Sequence, residues 1–489
     1  MSFSLNVSQV RQLLGSLLCN RAAFELQANF TQLTYNSKAV QPGALFFCKG
    51  AKFNVAYLEE AIQKGALAYV SEEVYPVDIP CFQVSDIRVA MPLLAANFYQ
   101  HAYRSFNLTG ITGTKGKSTT AVFLQKILDT SLAAEQKVSG IISSINTYDG
   151  VVDEESALTT PEALELHTHF ANAAQSGLPY VTMEVSSQGL KYHRVGEVTF
   201  DVGVFLNIDA DHISAIEHPD FTDYFHSKLQ LFNQAKHLVI NLDSAELSEV
   251  LEAIPAGIPF STFSTQDPQA DFYAENITTD GHTVAFAVNG EPIKLGISGL
   301  FNVENALAAI AVARHYGISF ETIRQALAAI RVPGRMEVFV GADPNLVTIV
   351  DYAHNRLSYE RLFQSCEQSY PGFKKIIIFG CPGHKAYNRR QDLAEVADAH
   401  ADQIILTMED PNAEPVPQIS ADIAAFVKET PVSLVDDRVA AYRHALSLVD
   451  GKTVILFAGK GDETTHKIDG KAVVYPSDVE ITKTALGLA

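Results

Sequence analysis

The chain has 489 residues, more than one hydrophobic core usually spans, so several domains are expected. Lys and Arg number 36 against 56 Asp and Glu, a formal net charge of −20, and no basic block offers a counter-surface to a polyphosphate backbone; this argues against a nucleic-acid partner. Hydrophobic residues at 47% and charged residues at 19% exclude a wholly disordered or fibrous chain.

The opening run MSFSLNVSQVRQLLGSLL has no basic segment followed by a continuous apolar stretch, and so does not read as a signal peptide. No apolar run reaches the roughly 18–20 residues of a membrane span, and a cytoplasmic location is expected. Over 33–105, ALFFCKG, the helical YLEEAIQKGA and the strand ALAYVSEE form a small α/β unit. Near Arg104 the pattern restarts as strand, turn and helix in SFNLTGITGTKGKSTTAVFLQKILDT. The α/β alternation continues to a long helix over 301–317, expected to be amphipathic. Pro333 and Gly334 in RVPGRMEVF then suggest a hinge. Beyond it VTIVDYAHN, KKIIIFGCPG, ADQIILTMEDP and KTVILFAGKGDE each end an apolar strand in a polar loop, where ligands collect in open α/β sheets. The cysteines Cys19, Cys48, Cys81, Cys366 and Cys381 are odd in number and form no CxxC pair, so buried thiols are expected rather than disulfides or a zinc site.

The run Thr112, Gly113, Thr114, Lys115, Gly116, Lys117, Ser118, Thr119 lies between a strand and a helix, where backbone N–H groups and the helix N-terminus can cradle phosphates. Lys117 would neutralise β- and γ-phosphate charge, and the Ser118 hydroxyl would reach a Mg²⁺. Ile111 stands where a full GxxxxGK[ST] motif has its first glycine. Glu184, ending the strand YVTMEV, sits where a carboxylate commonly holds the nucleotide's metal. His212 alone reads as structural, and Lys228, in the helical YFHSKLQLF, alone reads as a solvated surface residue.

Taken together, TGTKGKST, TTP at 159–161, MEVSSQGL followed by Arg194, Asp211-His212, LFNVENALAA, VPGRMEV, VDYAH and AGKGDE resemble the Mur ligases, and among them the MurE type, over essentially the whole chain. YNSKAVQPGALFF is similar to the segment with which that type grips a uridine nucleotide, and which the related folylpolyglutamate synthetases lack. The resemblance implies an α/β protein of three domains: a small UDP-binding domain at 1–104, a central P-loop ATPase domain with a parallel sheet at 105–333, and a Rossmann-like domain at 334–489 that takes the amino acid. It also implies an ATP- and Mg²⁺-dependent amide ligase that extends UDP-MurNAc-L-Ala-D-Glu through an acyl phosphate. By the same resemblance Lys228 would be carbamylated by CO₂ and would join Ser118, Glu184 and His212 around metal. Ser37, Thr159, Thr160, Ser186 and Arg194 would contact the UDP-muramoyl-dipeptide, and Asn305, Arg335, Asp351 and His354 the ATP. Tyr192 replaces a glutamine common in relatives, and HNRLS at 354–358 replaces the usual HTPD. A folylpolyglutamate-synthetase-like ligase and a non-catalytic Mur-like protein are the competing readings; the retained Lys117, Ser118, Glu184, His212 and Lys228 argue against the latter.

The diaminopimelate-adding branch carries a DNPR motif whose arginine reads a distal carboxylate. Here Glu409, Asp410, Pro411 and Asn412 stand in its place, without the cation. A second substrate carboxylate would be desolvated unpaired, whereas Glu409, Asp410 and Glu414 offer anions to a terminal ammonium. L-Lysine is the expected substrate and meso-diaminopimelate the alternative. By resemblance Arg390 would take the α-carboxylate, and Gly459 and Glu463 the α-ammonium group.

Overall fold

The structure, a computed structural model, describes residues 3–20, 26–50, 53–156, 158–209 and 217–488. The chain forms two compact units, Met1–Phe272 with Ala308–Ile318 and Tyr273–Leu307 with Ser319–Ala489.

In the first unit, the strands Gln32–Thr34, Ala44–Phe47, Ala66–Ser71 and Cys81–Gln83 pair in chain order as a parallel sheet. All of Ala44–Phe47 is buried, which is why ALFF reads as an unbroken apolar run rather than an alternating one. The helices Val55–Gln63 and Ile87–Phe98 start where Asn54 and Asp86 accept hydrogen bonds from first-turn N–H groups. A second sheet places Asn107–Thr112 between Tyr180–Glu184 and Phe200–Phe205, parallel to both. Chain order reverses across Asn107–Thr112, so its carboxyl end opens on a switch-point crevice. Gly110 in this strand has no room for a Cβ, which would lie 2.7 Å from the Phe200 ring. Leu108, Phe170, Met183, Phe200 and Phe232 belong to the core behind it.

The helix expected over 301–317 runs Asn302–His315. It is not amphipathic: Val303 and all of 306–313 are buried, because the small side chains of ALAAIAVA let neighbours close in on every side.

In the second unit the antiparallel strands Phe272–Thr279, Val284–Val288 and Glu291–Leu295 lie with the helix Phe320–Ala328. The larger sheet runs Glu337–Val340, Leu346–Asp351, Thr453–Ala458, Lys374–Phe379, Gln403–Leu406, Val432–Leu434. Only the first strand is antiparallel. The late strand Thr453–Ala458 sits between two earlier ones, which makes a second switch-point crevice at its carboxyl end. Arg438, fully buried, closes that end from below: it donates to Asp478 at 2.8 and 2.5 Å, to Met408 O at 3.0 Å and to Ala458 O at 2.9 Å. The departure HNRLS has a structural counterpart. Asn355 and Ser358 form a reciprocal capping box that starts the helix Arg356–Ser369.

Cys48, Cys81, Cys366 and Cys381 are buried thiols as expected, but Cys19 is exposed. Among the described residues no helix is long and apolar enough to cross a membrane.

Candidate active site

Strand Asn107–Thr112 delivers the chain into the loop 113–116, and Gly116, at φ +87°, turns it into the helix Lys117–Leu132, which no side chain caps. A helix start of this kind, behind a glycine loop, suits an anion. The loop is braced from the next strand. Lys115 N donates to Asn207 Oδ1 at 2.9 Å, Asn207 Nδ2 returns a bond to Lys115 O at 3.2 Å, and Thr114 Oγ1 accepts from Asp209 N and Tyr224 OH at 3.0 and 3.1 Å. A Cβ on Gly113 would lie 2.8 Å from Leu206 Cβ, so the loop passes that strand at glycine distance. Thr112 and Thr119 are buried on either side, and Ile111 is a fully buried strand residue.

Lys117 Nζ donates to Gly113 O at 2.9 Å and Thr114 O at 3.2 Å, and Lys228 Nζ donates to the same Gly113 O at 2.9 Å. Two ammonium groups therefore converge on one carbonyl of the phosphate loop. Lys228 is not the solvated residue that its isolation suggested. It is 1% exposed and lies 4.5 Å from the centre of the Tyr224 ring, on the buried side of the helix Phe221–Leu229.

Glu184 is 1% exposed and pairs in register with Ile111. Ser144 donates to its Oε1 from N at 2.8 Å and from Oγ at 3.1 Å, and the Ser144 and Ser118 hydroxyls share a hydrogen bond of 2.9 Å. Among the described residues Glu184 Oε2 accepts no hydrogen bond. A hydroxyl and a carboxylate oxygen facing each other through one serine are hard donors of the kind that Mg²⁺ takes. His212 lies outside the described residues.

Thr160 is fully buried and works in both directions, donating to Glu184 O at 3.0 Å and accepting from Ser186 N at 2.9 Å. Ser186 in turn caps the helix Ser187–Lys191 by accepting from Gly189 N at 3.0 Å. Arg194 donates to Thr160 O at 3.1 Å and pairs with Glu162 at 3.0 Å; Lys49 pairs with the other Glu162 oxygen. Thr159 is half-buried beside them. Ser37 stands apart from this group and donates to Glu60 at 2.6 Å. One buried cluster had no signal in the sequence: His218 Nδ1 is 2.6 Å from Asp223 and Nε2 2.9 Å from Ser187 Oγ. Burial holds the His218 pKa below its ordinary value.

In the second unit Asp351 ends its strand by accepting from Met336 N and Ala353 N, both at 2.8 Å. His354 Nδ1 is 2.8 Å from Tyr352 O, and the Arg335 guanidinium lies 4.2 Å from the Tyr352 ring centre. Tyr352 OH donates to Glu463 at 2.6 Å. Gly334, at φ +62°, is pressed against the backbone of Gly461 and Asp462. Asn305 Nδ2 donates to Asn302 Oδ1 at 3.0 Å in the Asn302–His315 helix.

The three carboxylates expected to meet an ammonium, Glu409, Asp410 and Glu414, are not equivalent. Asp410 is held by Lys460 Nζ and Lys467 N, each at 3.0 Å, and Lys460 also pairs with Glu463. Glu414 is held by Arg390 at 2.8 Å. The Glu409 carboxylate has no hydrogen-bond or ion-pair partner among the described residues, and burial pushes its pKa up to about 7 against the pull of Arg389 and Arg438. A Cβ on Gly459 would lie 3.4 Å from Glu409 Oε2, so a glycine keeps space open beside it. Arg390 is 3% exposed, gives Nη1 to Asp422 at 2.5 Å and Nη2 to Glu414, and keeps Nε buried with no partner among the described residues. Asn412 adopts φ +52°, which asparagine tolerates better than most residues, and its amide returns to Gly383 O and Asp410 O at 3.3 Å.

Residues 111–313 match the Mur ligase middle domain, and residues 334–461 the Mur ligase, glutamate ligase domain. The UDP-N-acetylmuramoyl-L-alanyl-D-glutamate--L-lysine ligase of Enterococcus faecalis (strain ATCC 700802 / V583) is 38% identical over 472 residues, covering 94% of this chain and 92% of its own. The chain belongs to the Mur ligase family. The enzyme of the same name from Streptococcus pyogenes serotype M2 is also 38% identical, over 93% of this chain and 92% of its own. This Mur ligase shares its fold with a solved UDP-N-acetylmuramoyl-L-alanyl-D-glutamate--2,6-diaminopimelate ligase, at TM-score 0.66, 23% identity and 98% coverage of both chains.

In this Mur ligase the first unit brings together Lys117, Ser118, Glu184 and Lys228, with Thr160, Ser186 and Arg194 next to them through Glu184 O and Thr160. The second unit brings together Arg335, Asp351, His354 and Glu463 on one side and Glu409, Asp410, Asn412 and Gly459 on the other. Sequence reasoning missed Ser144, Asn207 and Tyr224, the braces of the phosphate loop. Each lies at least 26 residues from the partner it holds, and nothing in its local pattern marks it.

Proposed function

We propose that this Mur ligase adds L-lysine to UDP-MurNAc-L-Ala-D-Glu at the expense of ATP, giving ADP, phosphate and the tripeptide nucleotide of peptidoglycan precursor synthesis. It acts on small molecules, and its division of labour follows 1–104 for the uridine nucleotide, 105–333 for ATP and 334–489 for the amino acid. The observation that carries the choice of lysine is the buried carboxylate of Glu409, which has no partner among the described residues, with the Asn412 amide turned onto Gly383 O and Asp410 O where a diacid would need a cation. The names of the relatives agree with that choice.

A carboxylate resists attack by an amine because its leaving group is oxide. Transfer of the γ-phosphoryl group of ATP to the D-glutamyl carboxylate makes an acyl phosphate and ADP. The lysine α-amine then adds to the acyl carbon, loses a proton, and the tetrahedral adduct expels phosphate as the amide forms. Negative charge gathers at every stage, so catalysis rests on fixed positive charge and donors aimed at the phosphoryl group and the acyl oxygens. Lys117 supplies one such charge from the loop 112–119, and swings from Gly113 O to the phosphates when nucleotide enters. Thr159, Thr160, Ser186 and Arg194 orient the dipeptide, with Ser37 toward the uridine diphosphate. Asn305, Arg335, Asp351 and His354 position the nucleoside and phosphates. Arg390, with its spare Nε–H, and Arg389 nearby face the lysine α-carboxylate, Glu463 and the Gly459 loop its α-amine, and Glu409 its side-chain ammonium.

Ser118, Glu184 and His212 would hold a Mg²⁺, which would supply neutralisation of phosphate charge. We further propose that Lys228 carries a carbamate from CO₂, which turns a cation into an oxygen donor for metal while its remaining N–H keeps the bond to Gly113 O. Intact-mass measurement of Lys228-containing peptides under bicarbonate tests this directly.

Purified protein given ATP, Mg²⁺, UDP-MurNAc-L-Ala-D-Glu and one labelled amino acid should yield labelled nucleotide with L-lysine and little with meso-diaminopimelate. Preference for the diacid refutes the charge argument, and absence of any labelled product refutes the ligase reading.

A further inference from the structure

A cavity of about 240 Å³ in the first unit is lined by Lys49, Arg88, Glu162, Tyr192 and Arg194 together with Gly50, Ile87, Met91 and Ala163. Its charged walls are three cations and one carboxylate. Glu162 is shared by Lys49 and Arg194, so a single anion serves both. Arg88, at the start of the helix Ile87–Phe98, makes no side-chain hydrogen bond or salt bridge to another described residue. Its guanidinium carbon instead lies 4.0 Å from the centre of the Tyr192 ring. An aromatic face holds a guanidinium flat without consuming its N–H donors, so they stay available to an oxyanion. An uncompensated positive wall in a partly enclosed space selects for an anionic ligand.

We propose that Arg88 and Lys49 bind an anionic group of the uridine-nucleotide substrate, and that Tyr192 is the positioning residue that holds Arg88 for it. The inference rests on the functional reading above and extends it to three residues that reading leaves without a role. The anion is either the diphosphate or a carboxylate of the dipeptide; both present planar or tetrahedral oxygens to a forked donor.

Titration calorimetry on the full chain, with UDP and with UDP-MurNAc-L-Ala-D-Glu, separates these. Arg88→Met should weaken the full substrate about tenfold, the loss of one charge-assisted contact. Tyr192→Leu should weaken it several-fold, while Tyr192→Phe, which keeps the aromatic face, should bind as the wild type does. KM for ATP and for L-lysine should stay unchanged in all three. If the diphosphate is the anion, Arg88→Met weakens UDP by the same factor; if a carboxylate is, UDP binding is unaffected and only the full substrate suffers. Wild-type binding of the full substrate with Arg88→Met within about twofold of it overturns this proposal alone. A wild-type protein that binds neither nucleotide overturns the functional reading and this proposal with it.

Discussion

The sharpest test of the proposed lysine pocket is the replacement Glu409→Gln, because the carboxylate's burial sets both a sign and a size. Its pKa rises from an ordinary 4.5 to about 7, the desolvation of a group faced by Arg389, Arg438, Lys460 and Asp410 but bonded to none of them. Between those two pH values the folded protein holds a proton that the unfolded chain has released. The group's contribution to stability is therefore fully present below about pH 4.5 and lost as pH rises through about 7. By pH 8 the loss is on the order of 3 kcal/mol. An ammonium ligand that pairs with the ionised form recovers part of this, so lysine binding is coupled to release of the Glu409 proton. The ionised fraction goes from about one tenth at pH 6 to about nine tenths at pH 8, and KM for L-lysine should fall about tenfold over that range. In Glu409→Gln the KM should be about 10–100-fold higher at pH 8, as one charge-assisted bond to a buried partner is lost, and should vary little with pH. The assay is initial rate against lysine at saturating ATP and nucleotide, with thermal unfolding of the ligand-free proteins alongside. The variant's midpoint should rise relative to wild type as pH goes from 5 to 8. A lysine KM whose pH dependence survives intact in Glu409→Gln refutes the reasoning, because the titrating group would then lie elsewhere.

Two further outcomes follow from buried charge. Lys228→Ala should lower the rate by about a hundredfold or more while nucleotide-substrate binding persists, and formate or acetate should restore part of it by standing in for a carbamate; full activity, or loss without rescue in a folded protein, removes the carbamate role. Arg438→Met should destabilise the protein by about 3–5 kcal/mol, since it strands the Asp478 carboxylate at 1% exposure. Adding Asp478→Asn should recover most of that loss in thermal unfolding, and a double variant no more stable than the single one contradicts the pairing argument.

What could be read from the residues and what could not divide along sequence separation. The phosphate loop is legible because its chemistry is local: a strand, glycines that admit positive φ, and a helix start lie within a dozen residues of one another, and the polypeptide has few other ways to arrange them. The strands that carry Glu184, Asp351 and Gly459 are legible for the same reason, each being a short apolar run that ends in a polar loop. The HNRLS departure is also local, since Asn and Ser three apart build a helix start by themselves. The charge state of the amino-acid pocket is not local. Glu414 and Asp410 look like free anions in the sequence, yet one meets Arg390 across 24 residues and the other Lys460 across 50, and of the three only Glu409 has no counter-ion among the described residues. The buried helix at 302–315 fails in the other direction: alanines on every face carry no periodic signal, because small side chains serve an exposed and a crowded surface equally well. Motif spacing thus locates the backbone of a site, whereas its electrostatics depend on pairings that only the fold decides. The proposed selection of lysine hangs on the second kind of fact, through Glu409, the one of these three carboxylates without a counter-ion among the described residues.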